Sequence, residues 1–166
     1  MASAPASADL AGYLDRVRER LRGAGFDLLP SPDGVEIRAH RYGFQATRFG
    51  MVDTFVTLGR QTAPVDERAV ADFSARWFAT DVREKKGPPR GLFGQVVSHP
   101  VLLADRTDDA TRSYVRGYAP KHWSSLEFPA LVDTGSGELF CCEHTPVWGA
   151  AYYRKSRDEI RALAAP

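Results

Sequence analysis

The stretch that decides the fold is residues 35–58, which reads VEIRAHRYGFQATRFGMVDTFVTL. In its first part apolar and polar side chains alternate, a period of two that predicts a strand with one buried face. Its last part is rich in β-branched and aromatic residues, which strands favour. We predict strands at 35–41, 44–49 and 52–58, with the first turn at Tyr42-Gly43. Connections this short predict an antiparallel meander.

Helical patterns lie on both sides of this meander. Residues 8–22 repeat apolar side chains at helical spacing, and a second helix is predicted to begin after Pro64 and to end near residue 82. Thr107 is the expected N-cap of a third helix that ends at Gly117. The string Ser156-Arg-Asp-Glu159 has the pattern of a capping box, so a fourth helix is predicted to open there.

Four further segments have strand patterns. We predict strands at 26–29, at 95–104, at 126–132 with Pro129 marking an edge or bulge, and at 138–142 as the second arm of a hairpin. The strand–helix–strand segment 95–132 favours a parallel crossover. The predicted order is α-β-β-β-α-β-α-β-β-α. The fold class is therefore α+β (mixed α/β), a single sheet with helices packed on it.

The charge balance excludes one class of function. The chain has 166 residues, with 22 Lys and Arg against 21 Asp and Glu, a formal net charge of +1. A hydrophobic content of 43% excludes a mostly disordered chain. Near neutrality argues against binding of nucleic acid by bulk electrostatics. The length fits one domain, which we place at residues 9–166 behind a flexible tail at residues 1–8.

The two cysteines indicate a compartment. Cys141 and Cys142 are adjacent, and a disulfide between neighbours is strained and rare. Reduced thiols predict a cytoplasmic setting. We expect neither a secretory signal nor a membrane span, because the apolar runs are too short.

The predicted order α-β-β-β-α-β over residues 8–118 resembles the restriction-endonuclease-like fold of the PD-(D/E)xK families. The string Pro32-Asp33-Gly-Val-Glu36-Ile-Arg38 looks like their motif with arginine in place of lysine. The resemblance implies metal-dependent cleavage of nucleic acid by acids on two successive strands. Asp33 and Glu36 are too close for that, and a guanidinium is not readily deprotonated. The pair Glu36 and Asp53 lacks the following lysine. We therefore expect a degenerate nuclease-like site.

Two aromatic loops are the first place to look for a ligand site. Pro120-Lys121-His122-Trp123 and Thr145-Pro-Val-Trp148-Gly149 each combine a tryptophan with proline and polar groups, which pockets and interfaces favour. The candidate ligand-binding residues are Lys121, His122, Trp123 and Trp148, with Arg38 and His40 as polar neighbours on a strand face.

The loop Glu84-Lys-Lys-Gly-Pro-Pro-Arg90 is a separate candidate for phosphate binding. After Glu84 it carries basic residues without acids, and loops often carry function. Its candidate residues are Lys85, Lys86 and Arg90.

The string Cys141-Cys-Glu-His144 is a candidate for a metal site. Cys and His three residues apart can reach one zinc ion, with His40, His99 or His122 completing the set. A cysteine beside a histidine is also a nucleophile pattern. Only one ligand pair is present, so we predict no metal, no cofactor and no catalytic residue.

The leading functional interpretation is a binding or protein-interaction module, with another protein or a second copy of the chain as partner. A nucleic-acid-related protein with a degenerate nuclease-like fold is the first alternative, and weak contact with nucleic acid stays open. A metal-dependent or Cys/His-dependent enzyme is the second.

Overall fold

The computed structural model describes residues 7–147 and 149–166, and a mixed sheet of eight strands lies at their centre. The strands are β1 (Asp27–Leu29), β2 (Val35–Gln45), β3 (Gly50–Gln61), β4 (Gly94–Ala104), β5 (Lys121–His122), β6 (Ser125–Glu127), β7 (Ala130–Asp133) and β8 (Glu138–Cys141). The helices in these residues are α1 (Ser7–Gly23), α2 (Glu67–Glu84), α3 (Asp109–Gly117) and α4 (Ala150–Ala164). The predicted fold class is confirmed, and the predicted order matches roughly.

The antiparallel meander is present, but its turn lies elsewhere. β2 continues through the predicted turn at Tyr42-Gly43, because Tyr42 pairs with Asp53 and the ladder to β3 runs on to Gln45 and Gly50. The chain reverses instead through a 3₁₀ turn at Ala46–Arg48. The separate strand predicted at 44–49 is therefore wrong. A long β3 supplies pairing partners along the whole of β2, and this pairing overrides the local turn signal.

The predicted parallel crossover is confirmed. β4 runs parallel to β3 on one side and parallel to both β6 and β7 on the other, with α3 in the connection. The strand predicted at 126–132 is divided at Phe128-Pro129, so β6 and β7 pair with successive parts of β4. Pro129 lies in this break rather than at a sheet edge, and the N–H that proline lacks is not missed in a ladder there.

Helices cover both faces of the sheet. The larger apolar cluster lies where α1 and α4 meet the sheet and includes Val17, Leu21, Val56 and Ile160, all fully buried. The smaller cluster lies on the side of α2 and α3. Each fully buried side chain of this size contributes about 1.5–3 kcal/mol relative to exposure.

Two helix starts differ from the prediction. Asp108, not Thr107, is the N-cap of α3, and its carboxylate accepts from the Thr111 N–H at 2.7 Å. Thr107 donates to Asp133 instead, at 2.9 Å from both its N–H and its hydroxyl. The last helix begins at Ala150, so Ser156 is a buried mid-helix residue and no capping box forms.

The first helix overlaps the end of the segment 1–8 that was predicted as a tail. α1 already includes Ser7, and residues 1–6 lie outside the described part of the chain. None of the described helices combines the length and the apolar character that crossing a membrane requires.

Candidate functional site

Four segments meet at the end of the sheet where β3, β4 and β6 begin. Residues 42–51 contact residues 85–95 through a hydrogen bond from Gln95 Nε2 to the Arg48 carbonyl, at 2.8 Å. Residues 118–125 join through Ser124 Oγ, which donates to the Gly94 carbonyl at 3.0 Å. Residues 145–155 join through Lys155 Nζ, 3.0 Å from Gln45 Oε1. We call these four segments, Trp148 excepted, the basic end.

A cavity of about 460 Å³ opens at the basic end. This volume lies in the range of small-molecule sites. Its basic lining residues are Arg48, Lys121 and His122, and none of the described lining residues is an acid. The remaining lining residues are Gln95, Pro120, Ser124, Ser125, Leu126, Pro146, Tyr152 and Tyr153.

Arg48 is the unusual member of this lining. Its side chain is buried, and its guanidinium lies 4.7 Å from the centre of the Tyr152 ring. Within the described residues it forms no ion pair. Glu159, the carboxylate that most influences it, is already bound by Arg41. Burial lowers the pKa of Arg48 from its ordinary value. A buried cation without a counter-ion is costly, so an anion in the cavity would stabilise it.

His122 is held in place by a buried carboxylate. Its Nε2 lies 2.6 Å from Oε2 of Glu127, and Ser74 donates to the other oxygen of Glu127 at 2.5 Å. The imidazole stacks on Phe78 with ring centres 3.9 Å apart. Sequence reasoning missed Glu127. The sequence signal for Glu127 was a lone acid between Leu126 and Phe128 in an apolar strand. A buried charge requires a partner, so such an acid indicates a polar contact inside the fold.

The two separate candidates from the sequence lie side by side. Trp123 packs on the loop at residues 85–91, which we call the basic loop. A Cβ placed on Gly91 would come within 2.8 Å of Trp123 Nε1. Gly91 also has φ +82°, so two constraints require glycine at this close approach. Arg90 donates to Ser125 Oγ at 3.4 Å. The structure thus joins the loop at 85–90 to the loop at 120–123.

The lysines of the basic loop differ in what they can reach. Lys85 Nζ is turned to the backbone, where it donates to the carbonyls of Gly87 and Pro88. Lys86 and Arg90 are exposed. Asp53 anchors the loop, because its carboxylate accepts from the N–H groups of Lys86 and Gly87, each at 2.9 Å.

Arg38 and His40 lie away from the cavity, buried beneath α2. Arg38 bonds to Asp81 at 3.1 Å and to Glu84 at 2.7 Å, and His40 Nε2 lies 2.8 Å from Asp53. The side chains of both predicted ligand-binding residues are thus paired with carboxylates inside the fold. Trp148, the remaining residue of that prediction, lies outside the described residues.

The polar layer beneath α2 perturbs one carboxyl strongly. Burial raises the pKa of Asp81 to about 7, although hydrogen bonds from Ser98 and Arg38 oppose this effect. The Ser98 hydroxyl donates to Asp81 at 2.6 Å. Proton binding at Asp81 therefore differs between the folded and unfolded chain.

The cysteines have the environment of packing residues. Cys141 and Cys142 are buried free thiols, and burial raises the pKa of both, away from the thiolate that acts as nucleophile or metal ligand. Cys142 Sγ contacts the carbonyl oxygen of His144 at 3.6 Å. In residues 7–147 and 149–166 no three His, Cys, Asp or Glu side chains are grouped to hold a metal ion.

The acids of the nuclease-like pattern lie apart in the fold. Asp33 is exposed in the turn before β2, and Glu36 lies at an irregularity in the β2–β3 ladder. Asp53 pairs with Tyr42, six residues further along β2. At about 3.3 Å per residue, Glu36 and Asp53 are separated by roughly 20 Å.

Comparison with known proteins adds no relative to these observations. The chain matches no protein-family model and no curated protein sequence.

Proposed function

We propose that the protein is a non-catalytic binding module whose ligand carries phosphate groups that bind at Arg48. The observation that carries this proposal is that Arg48, a buried residue, lines the cavity and forms no ion pair with a carboxylate among the described residues. Lys121 and His122 add basic groups on the same lining. A guanidinium presents a planar fork that matches phosphate oxygens in a bidentate arrangement.

The cavity also indicates the size of the ligand. About 460 Å³ is far more than one inorganic phosphate fills. Pro120, Leu126 and Pro146 offer apolar surface beside the cations. This mixture supports a ligand in which phosphate is attached to an organic group. The reduced thiols support a cytoplasmic setting as part of the same proposal.

Calorimetric titration with inorganic tripolyphosphate at low salt tests the proposal. Arg48→Gln should weaken the tripolyphosphate Kd about tenfold or more, since a charge-assisted hydrogen bond contributes about 1.5–3 kcal/mol. The matched control is Arg106→Gln. Arg106 is exposed and follows the last residue of β4, at the opposite end of the sheet. The Arg106→Gln variant loses the same charge as Arg48→Gln and should leave the tripolyphosphate Kd unchanged.

Two results would contradict this function. One is the absence of tripolyphosphate binding by the wild-type protein at low salt. The other is equal binding by the wild-type protein and Arg48→Gln. If instead the surface binds a second copy of the chain, light scattering of the purified protein should show the molar mass of a dimer, and tripolyphosphate should not bind.

A further inference from the structure

We infer that the ligand of the Arg48 cavity is a single-stranded nucleic acid, whose bases stack on exposed aromatic side chains of the basic end. This inference rests on the proposed function and names its ligand class. Single strands are bound by a basic groove that follows the backbone together with aromatic side chains that stack on the bases. Both components lie at this end of the sheet.

The basic end lacks acids although the whole chain is nearly neutral. The four segments contain no Asp or Glu, but they contain every lysine of the chain, Lys85, Lys86, Lys121 and Lys155. Arg48, Arg90 and Arg154 lie among them. A net charge of +1 therefore conceals four segments, gathered at one end of the sheet, in which every charged residue is basic. Such a local excess of cations attracts a polyanion even when the total charge does not.

The exposed apolar side chains are concentrated at the same end of the molecule. In the part of the chain that the structure describes, all eight large apolar side chains classed as exposed belong to the basic end. Phe49, Phe93 and Trp123 are 81%, 74% and 79% exposed. Contiguous exposed apolar surface marks an interaction site, and aromatic faces among cations favour nucleobases over an aliphatic partner.

The backbone holds two of these rings outward at a cost. Phe49 and Phe93 have φ of 51° and 65°, the left-handed region that bulky residues rarely adopt. Ser124, with φ 50°, is the third described non-glycine residue of this kind, and it also lies at the basic end. The Met51 N–H donates to the Phe93 carbonyl at 2.8 Å and ties the two turns together. Strain concentrated in one place is a feature of functional sites.

Aromatic and cationic residues are neighbours at the basic end. Trp123 lies against Gly91, which follows Arg90 in the chain, and Lys121, two residues before Trp123, lines the cavity. A single strand presents both phosphates and unpaired bases to such a surface. A duplex keeps its bases stacked inside, and a bilayer keeps its headgroups in one plane. Arg48, by contrast, is buried where it lines the cavity, within reach of a flexible strand.

Fluorescence anisotropy with labelled (dT)12 at low salt tests this ligand class. Trp123→Ala should weaken the (dT)12 Kd about tenfold, the effect of losing one stacked base, and should leave tripolyphosphate binding unchanged. Trp123→Phe retains an aromatic face and should stay within about threefold of wild type. Arg90→Gln should lower the slope of log Kd against log salt by about 0.7, the value for one phosphate contact on a single strand. Arg106→Gln should leave that slope unchanged.

The outcomes separate this inference from the proposed function. If tripolyphosphate binds through Arg48 but Trp123→Ala binds (dT)12 as wild type does, the nucleic-acid inference fails and the proposed function stands. Equal or tighter binding of a 12-base-pair duplex would also overturn the inference. So would binding to anionic phosphatidylserine vesicles without binding to (dT)12. If neither tripolyphosphate nor (dT)12 binds, both proposals fail.

Discussion

Two buried arginines ten residues apart lie in opposite electrostatic surroundings. Arg38 is 7% exposed and Arg48 is 8% exposed, so both have lost nearly all contact with water. Arg38 bonds to Asp81 and Glu84 and lies over the Trp77 ring, 5.1 Å from its centre. Arg48 has a tyrosine ring and an open cavity. Equal burial with unequal pairing is the contrast that we expect between a structural cation and one that is available to a ligand.

The Arg38 region is closed within the fold. Asp81 lies between Arg38 of β2 and Ser98 of β4, so one carboxylate of α2 joins two strands. Breaking a buried pair from one side leaves an uncompensated charge and is strongly destabilising. Among the described residues no carboxylate pairs with Arg48, so removing that guanidinium breaks no ion pair.

The largest expected effect is therefore at Arg38. Arg38→Met should lower the free energy of unfolding by about 3–5 kcal/mol when measured at about pH 9, above the Asp81 pKa of about 7, because the ionised Asp81 carboxylate loses its cation. Urea denaturation of the variant and wild type measures this loss. A loss below about 1 kcal/mol would show that the pair does not stabilise the fold and would remove the contrast with Arg48.

The second effect is a pH dependence that Asp81 introduces. Its folded pKa of about 7 lies above the value of 3.8 for the free side chain. Between these values the folded chain binds the proton more tightly. The free energy of unfolding should therefore fall as pH rises from about 4 to about 7, with a contribution of up to about 1.4 kcal/mol per pH unit.

Asp81→Asn isolates that contribution. The variant should have a flatter profile of unfolding free energy between about pH 4 and pH 7 than wild type, whatever its absolute stability. A profile parallel to that of wild type would contradict the prediction.

Below this window two other carboxyls act with the opposite sign in both proteins. Burial raises the pKa of both Asp133 and Glu159. At Asp133, hydrogen bonds from Ser136 and Arg112 lower the pKa by more than burial raises it. At Glu159, the interactions with His99 and Arg41 do the same. Each has a pKa of about 2, so both stabilising contributions are lost as pH falls towards 2.

The smallest effect is expected at Arg48 without ligand. Arg48→Met should change the free energy of unfolding by less than about 1 kcal/mol, and in the stabilising direction, because a buried unpaired guanidinium is removed. Loss of the contact with Tyr152, about 0.5–1 kcal/mol, limits the gain. Thermal and urea unfolding in phosphate-free buffer measure the change. A loss above about 2 kcal/mol would place Arg48 with Arg38 as a structural residue.

The secondary structure was largely predictable from periodicity, and the errors of that prediction have one cause. The alternation in residues 35–41 and the helical stripe in residues 8–22 are local properties and gave the correct elements. The turn predicted at Tyr42-Gly43 and the capping box at Ser156 are also local signals, but pairing with β3 and burial of Ser156 override them. Local propensities are weaker than the contacts that a formed sheet supplies.

The candidate site was only partly predictable. Lys121 and His122, two of the predicted residues, line the cavity, and their binding of a ligand stays a prediction. Arg48 carried no sequence signal, because a lone arginine in a turn resembles any surface residue. The absence of acids from four segments can be counted in the sequence. Their meeting at one end of the sheet cannot, because it depends on the parallel register of β3, β4 and β6.

Composition and periodicity by themselves determined the class of this protein: a neutral α+β chain with an antiparallel meander and two unpaired thiols. Which arginine is satisfied and which is open was decided by tertiary contacts. The carboxylate that pairs with Arg38 comes from 43 positions further along the chain, on the helix α2 that covers Arg38. Electrostatic energy depends on distance in space, and a separation along the chain does not specify that distance until the sheet has formed.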